Sequence, residues 1–332
     1  MSGIKNLSRY WYDKNFVALA LLPLSWLFRL LAMLRRAAYK QGLLKVWQAP
    51  MPIIVVGNIT VGGSGKTPLV IWLAEFLKHN GRLPGIISRG YGGTANSFPQ
   101  QVYANSDPYV VGDEPVLMAQ RTGCPIVIDP DRARAARALI DRCDVLISDD
   151  GLQHHALGRT VEIAVIDAVR VFGNGYCLPA GPLREPPGRL RSVDFVVSNG
   201  ALRATQLQVS IDIIVMNLVG HAIINLRDDT LARSPKDFKT GAVHAVAGIG
   251  NPKRFFAYLR SLGLEIIEHA FPDHHRFVRE DLYFGDDLAT IMTEKDAVKC
   301  RNFAQPKHWY LPVEAKLGEN FGERLLGLLT RK

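Results

Sequence analysis

Cysteine is scarce. It occurs four times in 332 residues, at Cys124, Cys143, Cys177 and Cys300, with no CxxC pair among them. That excludes a disulfide framework and a cysteine-rich zinc fold, and it points to a reduced compartment with structural thiols. His154 and His155 have no partner at HxxxH or CxxC spacing, so a zinc site is not expected. Long apolar runs are also missing: the charge-free stretch Phe16–Phe28, FVALALLPLSWLF, has thirteen residues, fewer than the ~20 that span a bilayer. Internal repeats and low-complexity tracts are absent. What remains, 48% hydrophobic and 21% charged, is the composition of a folded chain with room for about two domains.

Acidic residues are nearly absent from one region. Residues 1–45 hold Lys5, Arg9, Lys14, Arg29, Arg35, Arg36, Lys40 and Lys45 against Asp13 alone, which accounts for most of the net charge of +9. A nucleic-acid-binding body would spread its basic face over the fold, so no nucleic-acid partner is expected. Here the basic residues flank the apolar run. Pro23 interrupts the run, extension to Leu34 admits Arg29, and no small-residue cleavage site follows it. The arm reads as a membrane-embedded or interfacial helix with its cations on anionic headgroups, and Trp11, Tyr12 and Trp26 suit that boundary. The alternative is a helix buried in the core.

The stretch Ile53–Thr67, IIVVGNITVGGSGKT, organises the remainder. A β-branched run ends in glycines, then Lys66-Thr67 and a helical segment, which is the strand–loop–helix context of a phosphate-binding loop. Thr60, Gly62, Gly63, Ser64 and Gly65 would turn backbone N–H groups toward a polyphosphate; Lys66 would reach its terminal phosphates and Thr67 would bind Mg²⁺. Pro68 suits a first helical turn. Thr60 departs from the strict GxxxxGK[ST] pattern, which asks for glycine there. The alternative is a glycine-rich turn without a ligand.

Apolar strands and helical segments then alternate, predicting a mainly parallel sheet with helices on both faces. LPGIIS leads into Arg89-Gly90-Tyr91-Gly92-Gly93, a polar loop at a strand's carboxyl end, where open α/β sheets bind ligands. Asp113 and Glu114 open a helix, where acids ordinarily cap. VLIS ends in Asp149-Asp150, as does the strand that brings a carboxylate to Mg²⁺ beside a nucleotide. LPAGPLREPPGRL is a Pro/Gly-rich loop whose arginines, Arg184 among them, suit an anionic group or open solvent equally. Residues 207–226 alternate apolar and polar twice and read as two antiparallel strands connecting domains. A second βα set follows from HAVAGIG through FPDHHRF to TEKDAVK.

Taken together, GNITVGGSGKTP, ISRGYGG, VGDEP, SDDGLQH, GPLREP, VAGIGNP, FPDHH and TEKDAVK resemble, in order from about Pro52 to Pro312, the tetraacyldisaccharide 4′-kinase family, the lipid A 4′-kinases. Thr60 matches that family's variant loop. The resemblance implies ATP- and Mg²⁺-dependent phosphorylation of the 4′-hydroxyl of a tetraacylated glucosamine disaccharide 1-phosphate at the cytoplasmic face of a Gram-negative inner membrane. It implies a P-loop NTPase-like α/β domain, a smaller α/β domain joined to it by a β-ribbon, and nucleotide in the cleft between them. Asp113 becomes the base, oriented by His274, with His275 an alternative partner. Glu114, Asp149, Asp150 and Thr67 become Mg²⁺ ligands, and Arg89, Gln153 and Arg184 contact substrate.

The expected organisation is a basic, apolar arm over 1–45, the kinase core over 46–206, the ribbon over 207–226 and the smaller domain over 227–332. The expected partners are an acylated disaccharide lipid and an anionic membrane surface; no protein partner is inferable. A competing reading is a membrane-peripheral nucleotide switch without lipid kinase activity. It requires a guanine-reading NKxD segment, and Thr293-Glu294-Lys295-Asp296 has its Lys one place late with no Asn before it.

Overall fold

The computed structural model describes residues 8–13, 15–202, 207, 211–239, 241–318 and 320–330. Strands, numbered along the chain, form two sheets. The larger has nine, in the spatial order β15 (Glu314–Leu317), β8 (Ile213–Val219), β7 (Phe195–Asn199), β6 (Val161–Asp167), β1 (Ile53–Gly57), β5 (Val145–Ser148), β2 (Pro84–Ser88), β4 (Ile126–Ile128) and β3 (Gln100–Val102). From β8 to β4 every neighbour is parallel, and only the edge strands β15 and β3 run against them. β1 is buried throughout its length, as expected of a parallel strand covered on both faces.

Helices cover both faces. On one lie α3 (Lys66–His79), α5 (Asp113–Thr122) and, from the far end of the chain, α9 (Asn320–Leu329). Leu69, Leu73 and Leu77 recur every four residues along α3 and share a core with Phe321, Leu325 and Leu329, spaced likewise on α9; four-residue spacing keeps each trio on one helical face. On the other face α6 (Arg132–Arg137) packs with the 172–190 loop. Between β3 and α5 lies the short α4 (Pro108–Val111).

The smaller sheet has six strands, in the order β10 (Ala232–Arg233), β9 (Ile223–Asn225), β14 (His308–Leu311), β13 (Thr290–Thr293), β11 (Val243–Ala247) and β12 (Ile266–Ala270), with α7 (Pro252–Ser261) and α8 (Glu294–Cys300) beside it.

A two-stranded ribbon joins the sheets, but its pairing differs from the sequence reading of 207–226. β8 and β9 do not fold back on each other. They continue end to end from one sheet to the other, and their antiparallel partners are β15 and β14 on the returning chain. Residues 208–210 of the expected connector lie outside the described ones. The same return corrects the boundary drawn at 227–332: β15 and α9 complete the large sheet and its core, so the small unit stops near the ribbon. Alternation alone identified the strands but could not say which distant segment pairs with them.

The arm contains α1 (Phe16–Ala20) and α2 (Leu22–Lys40), with Pro23 in the first turn of α2. Three hydrogen bonds tie the arm to the 177–192 loop: Trp11 Nε1 donates to the Pro179 carbonyl at 3.0 Å, Ser25 Oγ to the Cys177 carbonyl at 2.8 Å, and Arg36 to Ser192 Oγ at 2.7 Å. Elsewhere the helix is open. Trp26 is 63% exposed, and Leu27, Leu30, Leu31 and Leu34 are each more than half exposed, which removes the core-helix alternative. No helix among the described residues is long and apolar enough to cross a membrane.

Candidate active site

β1 delivers the chain into the glycine-rich loop and α3 receives it. The backbone is left-handed at Gly62 (φ 108°) and Gly65 (φ 91°), a conformation that costs residues with a Cβ. A Cβ on Gly65 would also sit 2.3 Å from Asn199 Nδ2. Thr60 has no such demand: it lies in an antiparallel bridge with Leu183, and Val61 N donates to the Pro182 carbonyl at 2.8 Å. An extended backbone accepts a β-branched residue, so the missing glycine is accounted for. Asn58 Nδ2 closes the loop on the Gly62 carbonyl at 3.2 Å, and Asn199 Nδ2 on that of Ser64 at 3.1 Å.

Beyond the loop opens a cleft of about 1980 Å³ between the two sheets. Lys66, Thr67, Glu114, Asp149, Asp150 and His274 all line it, as do Arg89, Gln153 and Arg184. Its wall is partly apolar, because Phe28, Leu31 and Ala32 of α2 line it beside Arg35.

Asp149 and Asp150 leave the end of β5 in different directions. Asp150, with a left-handed φ of 49°, takes two bonds from Arg184 Nη1 at 3.0 Å and lies 3.4 Å from Lys66 Nζ. Burial alone would raise its pKa, but Lys66 and Arg184 outweigh that and hold it below the usual carboxylate range. Arg184 also donates to Gln153 Oε1 at 3.2 Å, and Gln153 Nε2 to Glu185 at 2.8 Å. Asp149 is buried; Ser88 Oγ donates to one oxygen at 3.2 Å and the other has no partner. Burial, with Glu114 nearby, pushes its pKa up to about 7. Behind it Arg132 donates to the Asp149 carbonyl at 3.1 Å.

A buried carboxylate with an orphaned oxygen, lining the same cleft as the Thr67 hydroxyl at the start of α3, suits a hard divalent cation. Among the described residues no three acidic, histidine or cysteine side chains gather tightly enough to hold an ion unaided. Mg²⁺ itself binds through one or two carboxylates and completes its shell with water and substrate phosphates.

Asp113 begins α5 after Gly112 and is only 4% exposed. Both its oxygens lie 3.1 Å from His274 Nδ1, with Lys299 Nζ at 3.7 Å and Lys295 Nζ at 4.0 Å. Burial opposes ionisation, yet Lys295, the His274 hydrogen bond and Lys299 together hold the carboxyl below its ordinary range. His274 is correspondingly raised: burial lowers its pKa and the bond to Asp113 more than offsets this. His274 occupies left-handed backbone (φ 59°), its ring meets the Tyr91 edge at 5.1 Å, and a Cβ on Gly92 would lie 3.2 Å from its Nδ1. His275 turns away to Asp281 at 2.8 Å. The pairing that spacing left open therefore goes to His274.

Four site residues escaped the sequence reading: Lys295, Lys299, Arg132 and Asp273, whose Oδ1 lies 3.5 Å from Lys295 Nζ. For the first two a signal existed. Lys295 and Lys299 are four apart on a short helix, so both ammoniums fall on one face, but spacing alone does not say which carboxylates that face meets. Arg132 had no signal, since its partner is a backbone carbonyl.

Comparison with known proteins bears on the family of the chain. The family model described as tetraacyldisaccharide-1-P 4′-kinase matches residues 17–330. A tetraacyldisaccharide 4′-kinase of Nitrosococcus oceani is 53% identical, over 97% of this chain and 94% of the relative. That of Alkalilimnicola ehrlichii is 49% identical, over 99% and 98%. Among solved structures, LpxK of Aquifex aeolicus, determined in complex with ATP, superposes with a TM-score of 0.77 at 27% identity, covering 95% of this chain and all of that one.

Proposed function

The chain belongs to the tetraacyldisaccharide-1-phosphate 4′-kinase family, and from that premise we propose how its residues divide the transfer of a phosphoryl group from ATP to a lipid A disaccharide precursor. The observation that carries the reading is the Asp113–His274 pair at 3.1 Å, beside the cleft that also holds Lys66. A nucleotide switch needs the phosphate loop but has no use for such a pair.

Phosphoryl transfer is mostly positioning and charge neutralisation. The 58–67 loop cradles the polyphosphate and Lys66 neutralises its terminal groups. Asp149, with its open oxygen, and Thr67 would hold Mg²⁺, with Glu114 as a further candidate ligand lining the same cleft; the ion would supply charge neutralisation on the phosphates. Asp150, engaged by two cations, serves better as the brace that aims Lys66 and Arg184. Asp113 accepts the proton of the acceptor hydroxyl, aimed by His274. A sugar hydroxyl needs such a base at neutral pH. Arg89, Gln153 and Arg184 line the side of the cleft available to the sugar and its phosphate.

The acceptor carries four acyl chains and stays in a bilayer, so the site must come to it. The exposed face of α2, with Arg29 and Arg35 among its apolar residues, suits the surface of an anionic leaflet, and its inner residues continue into the cleft wall. We place the protein peripherally at the cytoplasmic face of the inner membrane, where ATP is available.

The test follows γ-labelled ATP into a lipid extract. Wild type is expected to label a disaccharide lipid, and Lys66→Ala and Asp113→Ala are expected to lose that product. Label released by wild type only as inorganic phosphate would support the switch instead.

A further inference from the structure

Across the cleft from the phosphate loop, one cation gathers three carboxylates. Lys295 lies in the first turn of α8, which Thr293 caps by accepting from Asp296 N at 3.1 Å. Its Nζ is 2.9 Å from Glu114 Oε1, 3.5 Å from Asp273 Oδ1 and 4.0 Å from Asp113 Oδ1. Asp113 and Glu114 belong to the large sheet's side; Lys295 and Asp273 belong to the small one. Without the ammonium these carboxylates would repel one another in a half-dry space, where charge interactions are stronger than in water.

The neighbouring residue grips the same helix. Glu294 accepts from Arg121 Nη1 at 2.8 and 3.0 Å. Glu114 and Arg121 are seven apart on α5, so they share a face. α8 therefore holds α5 by two ion pairs of opposite polarity, and a slide of either helix would bring like charges together. Lys299 cannot substitute for Lys295. Its Nζ lies 2.7 Å from Asp296 Oδ1, and Asp296 is itself fixed by the Gly248 N–H at 2.8 Å and the Thr293 hydroxyl at 2.6 Å.

Resting on the site reading above, we infer that Lys295 is a positioning residue for the phosphoryl transfer: from the opposite side of the cleft it fixes the directions of Asp113 and Glu114 and keeps the Asp113–His274 pair assembled. Stability alone is a poor reason for it. Buried ion pairs add little net stability compared with apolar contacts of the same volume, and an apolar α5–α8 contact would join the two halves without gathering acids.

The experiment compares wild type with Lys295→Met, Lys295→Arg and Asp113→Ala, measuring kcat, KM for ATP, ATP binding at equilibrium and thermal unfolding. Lys295→Met is expected to stay folded, bind ATP as wild type does, and lose about 100-fold in kcat with KM for ATP unchanged, as for an interaction that serves only the transition state. Lys295→Arg, which keeps the charge with a different head shape, is expected to recover at least about a tenth of the lost turnover, since the rescue depends on charge. Wild-type kcat in Lys295→Met overturns the inference, and so does Lys295→Arg no more active than Lys295→Met. If Lys295→Met does not fold, Lys295→Met with Asp273→Asn is compared with Asp273→Asn alone, and equal kcat overturns it. Asp113→Ala separates the two claims. Full activity there removes the site reading itself, whereas an inactive Asp113→Ala beside a fully active Lys295→Met removes only the role of Lys295.

Discussion

Asp149 and Asp150 are chain neighbours with opposite fates, and the contrast shows what a side chain owes to its surroundings. Sequence offered both as metal ligands of equal standing. The fold gives Asp150 two cations and leaves Asp149 a bare oxygen. Nothing in the dipeptide could announce this, because the deciding groups, Lys66 and Arg184, lie far away along the chain. Asp150→Ala is therefore expected to act through Lys66 and Arg184, raising KM for ATP several-fold, while Asp149→Ala abolishes turnover and changes nucleotide affinity little in the absence of Mg²⁺; equal effects on metal-free ATP binding would contradict the assignment. His308 makes a second prediction. Its Nδ1 accepts from Gln305 N at 3.1 Å and its Nε2 is buried without a partner. Burial pushes its pKa down to about 4. A folded pKa below the unfolded value near 6.5 means the unfolded chain takes the proton first, so this residue makes stability fall as pH drops from about 6.5 toward 4. His308→Asn keeps the acceptor and cannot take the proton. Urea titrations should show it losing less stability than wild type across that window; an equal loss would count against a neutral buried His308.

Among the elements, α2 and α9 were read with unequal success. The apolar run and basic flanks of α2 were legible because its pattern is local, and its leucines are exposed. Replacing Leu27, Leu30 and Leu34 with Glu should abolish co-sedimentation with phosphatidylglycerol vesicles and leave ATP binding intact. Co-sedimentation equal to wild type would show that this face does not meet lipid. The sequence reading set α9 in the smaller domain at 227–332, since an amphipathic face fits either core. It packs on the large one, where Phe321 meets the Phe195 ring edge-on at 5.1 Å. Phe321→Ala is expected to cost about 3–5 kcal/mol, visible as a lower midpoint for the unfolding that includes the nucleotide site. A loss confined to the small sheet would reverse the placement.

For the whole molecule, the parallel sheet and the phosphate loop were readable because strand, glycines, Lys, Thr and helix follow one another without interruption. The ribbon was only half readable. Residues 207–226 alternate as strands do, but their partners, 308–317, come some ninety residues later, and pairing across such a distance leaves no local trace. The same separation hid the Lys295 contacts and could not choose between His274 and His275. The fold resolves these together, because the ribbon sets the small sheet over the phosphate loop and brings the 271–277 segment against α5. On the proposed mechanism Asp113, from one side of the cleft, and His274, from the other, act as a single unit on the acceptor hydroxyl. A double-mutant cycle on kcat tests it most directly. If the claim holds, Asp113→Ala and His274→Ala each lower kcat by about 10²–10⁴-fold, and the double variant is no worse than the poorer single one. Losses that multiply in the double variant would mean that the two residues act independently and that the pair is not the catalytic unit.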